Sequence, residues 1–265
     1  MPFRSVLLNV RDVAASVEFY RRHLGAVPVR VSADSAELDV VNGTLRLTRV
    51  GDDAPATTWH DDDRQRGFRH VGFKVARLEP WTDPLHAAGV RFHLEPCSAV
   101  GGLRIAFFYD PDGTLLEFVE RNPEYDEVLD ADLVAAERAV PAPDRPRLDH
   151  VALTVPDVPA AVARWRPLGF RAFGTLVPPG DERGLHITDL RGGETVLELF
   201  AFADPTVARE PQLGAAGFQA AVVDGADVPA GVVPEGFTPV GDGPDGSAVL
   251  ADDDGLLVVL DVATG

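Results

Sequence analysis

Two histidine–glutamate pairs recur along this 265-residue chain at nearly the same interval. His70 opens HVGFKV, and Glu117, in TLLEFVE, follows 47 residues later (70 to 117); His150 opens HVALTV, and Glu198, in TVLELF, follows 48 residues later (150 to 198). Imidazoles and carboxylates are the side chains that ligate borderline divalent cations and carry protons near neutral pH. All four lie in strand-like runs. Val71, Phe73 and Val75 share a face opposite His70, Leu116 and Phe118 oppose Glu117, Val151, Leu153 and Val155 oppose His150, and Leu197 and Leu199 oppose Glu198. Successive strand side chains alternate between faces, so each of the four points away from the apolar side of its sheet. A lone histidine at a strand edge ordinarily binds nothing. Two at matching strand starts, each with a glutamate at a matching distance, point to a metal.

The elements that must carry these residues repeat. SVLLNVRDVAASVEFYRRHLG (5–25) is answered by HVALTVPDVPAAVARWRPLG (150–169), each an alternating strand, an Asp at a helix N-cap, an apolar stripe and a closing glycine. Asp12 and Asp157 are placed to accept hydrogen bonds from first-turn amides, and Gly25 and Gly169 to stop the helices. A third copy begins at His70, with Leu78, Trp81, Leu85 and Ala88 as its stripe and Gly89 as its stop. A fourth, FQAAVVDGADVPAGVVPEGF (218–237), carries Pro229 and Pro234, which shorten or break its helix. About three strand-like runs follow each opening. The expected fold class is α+β: four βαβββ modules, at 1–60, 67–121, 147–204 and 215–262, forming two curved mixed sheets. Modules one and two make a first domain (1–124), modules three and four a second (147–265), with a linker containing a short helix at 125–146 between them.

With these residues in place, the chain resembles the vicinal-oxygen-chelate superfamily, which includes glyoxalase I, extradiol dioxygenases and bleomycin-binding proteins. The resemblance rests on the HV-x-x-x-V strand starts at His70 and His150, the D-h-x-x-(S/A)-V helix entries, and FYDPDGTLLEF (108–118). It implies that metal ligands come from the first and last strands of modules that face each other. Carried over, it implies His70 and Glu117 in the second module, His150 and Glu198 in the third, Ser5 and Arg46 in the first, and Phe218 and Val259 in the fourth. Two modules keep both ligand types and two have lost both.

Which modules share a sheet therefore decides whether a site exists. Sequential pairing splits the four residues between two cavities. Pairing the second module with the third, similar to that of tandem single-chain glyoxalase I enzymes, brings His70, Glu117, His150 and Glu198 together and leaves Ser5, Arg46, Phe218 and Val259 in a cavity without metal. Ligands lost as a set are ligands that shared a site, so the exchanged pairing is the expectation. Two imidazoles and two carboxylates suit Ni²⁺, Zn²⁺, Co²⁺, Mn²⁺ or Fe²⁺. Glu117 or Glu198 would move a proton next to a carbonyl, as in a glyoxalase-like lyase or isomerase. A non-catalytic binder of antibiotic-like small molecules and an extradiol-type dioxygenase are the competing functions.

Composition disfavours nucleic acid and membranes as partners and leaves the small molecule that the resemblance implies. With 24 basic against 42 acidic residues, the net charge of −18 repels nucleic acid and anionic lipid. No apolar run approaches the ~20 residues of a membrane span. The single Cys97 forms no intrachain disulfide, so a reducing, cytoplasmic setting is expected, for a monomer or homodimer. The run from His60 to Asp63 reads as a solvated acidic loop, GDGPDGS (241–247) as a hairpin turn, and Lys74, on the strand face of His70, as a snorkelling edge lysine. His23, His86 and His93 need no role, and His186 is a possible cavity residue.

Overall fold

The computed structural model describes residues 3–55, 64–210, 212–225, 228, 232–243 and 246–261. The first module comprises β1 (Phe3–Val10), α1 (Val13–Leu24), β2 (Val27–Val31), β3 (Ser35–Asp39) and β4 (Thr44–Arg49). The second comprises β5 (Gly67–Val75), α2 (Glu79–Ala87), β6 (Phe92–Ser98), β7 (Arg104–Tyr109) and β8 (Leu115–Glu120). Between the halves lie β9 (Glu127–Val128) and α3 (Ala131–Ala139). The third module holds β10 (Arg147–Thr154), α4 (Val158–Trp165), β11 (Arg171–Leu176), β12 (His186–Gly192) and β13 (Thr195–Ala201). The fourth holds β14 (Gly217–Asp224), β15 (Phe237–Asp242), β16 (Ala248–Asp252) and β17 (Leu257–Asp261). Strand order is β15-β16-β17-β14-β1-β4-β3-β2 in one sheet and β6-β7-β8-β5-β10-β13-β12-β11-β9 in the other. The second module is thus paired with the third and the fourth with the first, the exchanged arrangement expected from the shared loss of ligands.

Local chemistry accounts for the helices. Asp12 and Asp157 each accept a 2.9 Å bond from the amide three residues on, Ala15 and Ala160. Gly25, at φ 60°, takes the left-handed conformation that ends α1. Asp130 caps α3 in the same way through Leu133. The fourth module's helix falls largely on residues outside those described, including Pro229; residues 232–236, around Pro234, form no helix. The His60–Asp63 loop also lies outside the described residues. Strands β15 and β16 pair antiparallel across the GDGPDGS segment, as a hairpin requires.

One continuous apolar core lies on the helix side of both sheets. It draws Val6, Leu8 and Leu45 from the first, Val71, Phe73, Phe118, Val151 and Leu197 from the second, and Tyr20, Leu85 and Trp165 from the helices. Two aspartates pin a helix of one sheet to a turn of the other. Tyr20 donates to Asp110 at 2.6 Å, and Trp165 and Arg164 donate to Asp252, both at 3.3 Å. The other oxygen of each aspartate closes its own turn, accepting from Asp112 and Thr114 or from Asp254 and Leu256. Modules adjacent in sequence are therefore tied through helices and turns, and modules exchanged between halves through strands.

Burial pushes both carboxyls up to about 6. The folded chain then binds protons that the unfolded chain, with aspartates near 3.8, has released. This stabilisation is full below the unfolded value and is lost as pH rises through about 6. Asp110→Asn and Asp252→Asn keep an acceptor oxygen for the turn amides. The slope of Tm between pH 5 and 7.5 is expected to flatten in each, measured by thermal unfolding in the two buffers; an unchanged slope would refute the assignment.

Candidate metal centre

The site is built on the antiparallel seam between β5 and β10. There Gly72 faces His150 and Ala152 faces His70. On the outer sides the parallel partners of Gly72 and Ala152 are Glu117 and Glu198. The four functional side chains thus surround two small residues on the sheet face turned away from the helices. His150 Nε2 stands 2.8 Å from Glu117 Oε2, His70 Nε2 3.1 Å from the same oxygen, and the two imidazole Nε2 atoms 3.0 Å apart. Glu198 Oε2 is farther, at 3.5 and 3.7 Å from the two rings. One ligand atom from each residue lies within 4.8 Å of every other. All four sequence-identified residues meet.

Gly72 makes this possible. A Cβ built on it overlaps the His150 ring, so any other residue would push the imidazole off the sheet. Glycine inside a strand signals such a close approach, and the H-V-G run carried that signal unread.

The electrostatics follow from packing charged groups away from water. Burial pushes the Glu117 carboxyl up, but hydrogen bonds from His150 and His70 more than offset this and hold it well below the usual carboxylate range. Burial pushes His150 down, and Glu198, Asp149 and Glu117 together raise it well above an ordinary imidazole. Two carboxylates confined this closely call for positive charge between them. Two nitrogen and two oxygen donors, buried and convergent, suit a divalent ion of the borderline class, so the donor set fits the metal expected from the sequence.

A cavity of about 210 Å³ opens on the cluster, with Glu117, Glu198 and His70 at its base and Ile105, Phe107, Leu185, Ile187 and Phe200 along its walls. The His70 ring is braced edge-on by Phe107 and Phe200, at 4.9 and 5.9 Å between centroids. A neighbouring space of about 240 Å³ shares this wall and adds Arg69 and His93, with Arg183 common to both. Arg183 is bound in a fork to Asp181, and Arg69 stacks over Phe200 at 4.6 Å. His186 lies beside Thr188 and His86 bonds Glu95. Lys74 differs from expectation: it is buried, donating to the Arg121 carbonyl at 2.7 Å.

The first sheet repeats this frame without the ligands. Leu7 stands where Ala152 does, and its neighbours are Arg46 and Ala220. Val222 stands where Gly72 does, and its neighbours are Ser5 and Val259. The register corrects one expectation: Ala220, not Phe218, occupies the position of His70. A bulge at Gln219 turns Phe218 to the core side, where it stacks on Phe68 with centroids 3.7 Å apart. Leu7, Ala220, Val222 and Val259 pack into an apolar cluster of their own, and Ser5 bonds Thr44 instead.

The sequence profile of the Glyoxalase/Bleomycin resistance protein/Dioxygenase superfamily matches residues 3–118 and 147–232. The chain belongs to this superfamily. No curated protein matches it in sequence. Among solved structures, glyoxalase I from Zea mays is similar over 98% of this chain and 91% of its own, at 19% identity and a TM-score of 0.63. A mutant of the same Zea mays enzyme superposes at a TM-score of 0.67, also at 19% identity, over 98% and 92% of the two chains. At that identity the likeness is one of fold.

Gly72→Ala is expected to abolish metal binding while leaving the fold intact, since Gly72 is not among the glycines with positive φ and alanine suits its backbone. Elemental analysis and circular dichroism of the variant check this. Full metal content in Gly72→Ala would show that His150 needs no such space.

Proposed function

We propose that this chain is a glyoxalase-type, metal-dependent lyase or isomerase acting on a small carbonyl compound. The observation that carries the reading is the convergence of His70, Glu117, His150 and Glu198 at the base of a cavity. When bound, a divalent ion would supply Lewis-acid polarisation of a carbonyl oxygen. His70 and His150 would hold it through Nε2, with Glu117 as the most deeply buried anionic ligand. Glu198 is the better proton carrier. Its Oε2 is farther from both imidazoles than that of Glu117, and its side chain is more exposed, 15% against 6%. It is therefore freer to turn toward a substrate, take a proton beside the carbonyl and return it to the adjacent carbon. The walls of Ile105, Phe107, Ile187 and Phe200 exclude water from that exchange and suit a substrate whose non-reacting part is apolar.

The same apolar lining favours a second reading, sequestration of a small aromatic molecule without turnover. Among the described residues no helix is long and apolar enough to cross a membrane.

Metal analysis of protein purified without chelators, followed by isomerisation assays on thiol adducts of aryl and alkyl 2-oxoaldehydes, separates the readings. About one equivalent of a divalent metal is expected. Glu198→Gln should keep most of the metal while turnover falls by about 10²–10⁴-fold, the usual contribution of a general base. A metal-free protein that binds the compounds without converting them would favour sequestration.

A further inference from the structure

Each of the four central strands carries a β-bulge one residue before the ligand position. The pairing registers skip Arg4 on β1, Arg69 on β5, Asp149 on β10 and Gln219 on β14. In a regular strand the residue before a ligand points to the opposite face. An extra, unpaired residue breaks the alternation and lets two consecutive side chains serve the same face. On β10 those two are Asp149 and His150. Asp149 Oδ2 lies 3.1 Å from His150 Nδ1, the ring nitrogen turned away from the cluster. The other oxygen of Asp149 is 3.8 Å from Lys74 Nζ and 3.7 Å from Arg147. Lys74 reaches it because residues 70, 72 and 74 share one face of β5, and its register partner across the seam is Arg147. This is the chain's one lysine.

We infer that Asp149 is a positioning residue of the metal centre proposed above. It accepts the Nδ1–H of His150, fixing the ring orientation and leaving Nε2 as the lone-pair donor, while Lys74 and Arg147 balance its charge. Ligating histidines are commonly oriented by a carboxylate in this way, and loss of that partner costs about 10–100-fold in metal affinity. The two imidazoles are thus held by different means: His150 by a charge-assisted hydrogen bond, His70 by the edges of Phe107 and Phe200. The bulge is what converts an ordinary Asp-His dipeptide into a ligand and its support.

The test loads the full chain with Co²⁺, measures affinity by chelator competition and records the visible absorption of the bound ion. Asp149→Asn is expected to weaken Co²⁺ binding about 10–100-fold and to alter that absorption, with the circular dichroism of the parent retained. Asp149→Asn/Lys74→Met removes opposite charges together, and covers the case in which the single variant does not fold; the same loss is expected. A folded variant with parental affinity and an unchanged spectrum would overturn the positioning role while leaving the metal centre standing. A parent chain that binds no Co²⁺ would overturn both.

Discussion

The antiparallel seam between β5 and β10 is the contact on which the candidate site depends. It joins the second and third modules into one sheet, and its register sets Gly72 against His150 and Ala152 against His70. Parallel strands on either side then bring Glu117 and Glu198 alongside. No single module holds more than half of the donor set. A slip of one residue along the seam would turn one strand's side chains to the other face and send its imidazole into the core, away from its partner. The helix-to-turn ties made by Asp110 and Asp252 act on the other axis, holding each module to its neighbour in sequence. The chain is thus laced in two directions, and the functional face sits where the strand pairing crosses the midpoint of the sequence.

Comparison of the two sheets shows what a site costs. In the first, Val222 and Val259 occupy the places of Gly72 and Glu117, and they pack with Leu7 and Ala220. Fully burying one such side chain contributes about 1.5–3 kcal/mol. The second sheet forgoes that gain and confines two carboxylates and two imidazoles instead, an arrangement that needs compensating charge. Val222 alone would exclude a ring over the strand, so the first sheet could not regain a ligand at Ser5 by a single substitution to histidine.

Much of this was legible in the residues. Alternation about His70, Glu117, His150 and Glu198 placed all four on the face away from the helices, because strand periodicity leaves only two directions. The paired loss of ligands in the outer modules predicted the exchanged pairing. The resemblance, carried over to the fourth module, sets Phe218 two residues short of the position of His70; in the register Phe218 is the counterpart of Phe68, because β5 and β14 carry the same bulge between those two positions. Lys74 was read as an edge residue because nothing local tells that Asp149 lies across the seam.

The sequence by itself determined the repeated strand–helix openings, the capping residues and the four donor side chains, since each depends on neighbours a few positions away. Only the tertiary structure decided which strands meet, where the bulges fall, and that Gly72 and Asp149 belong to the site. Those facts depend on residues some 80 positions apart being brought to adjoining strands, and the free energy of that pairing resides in no local segment.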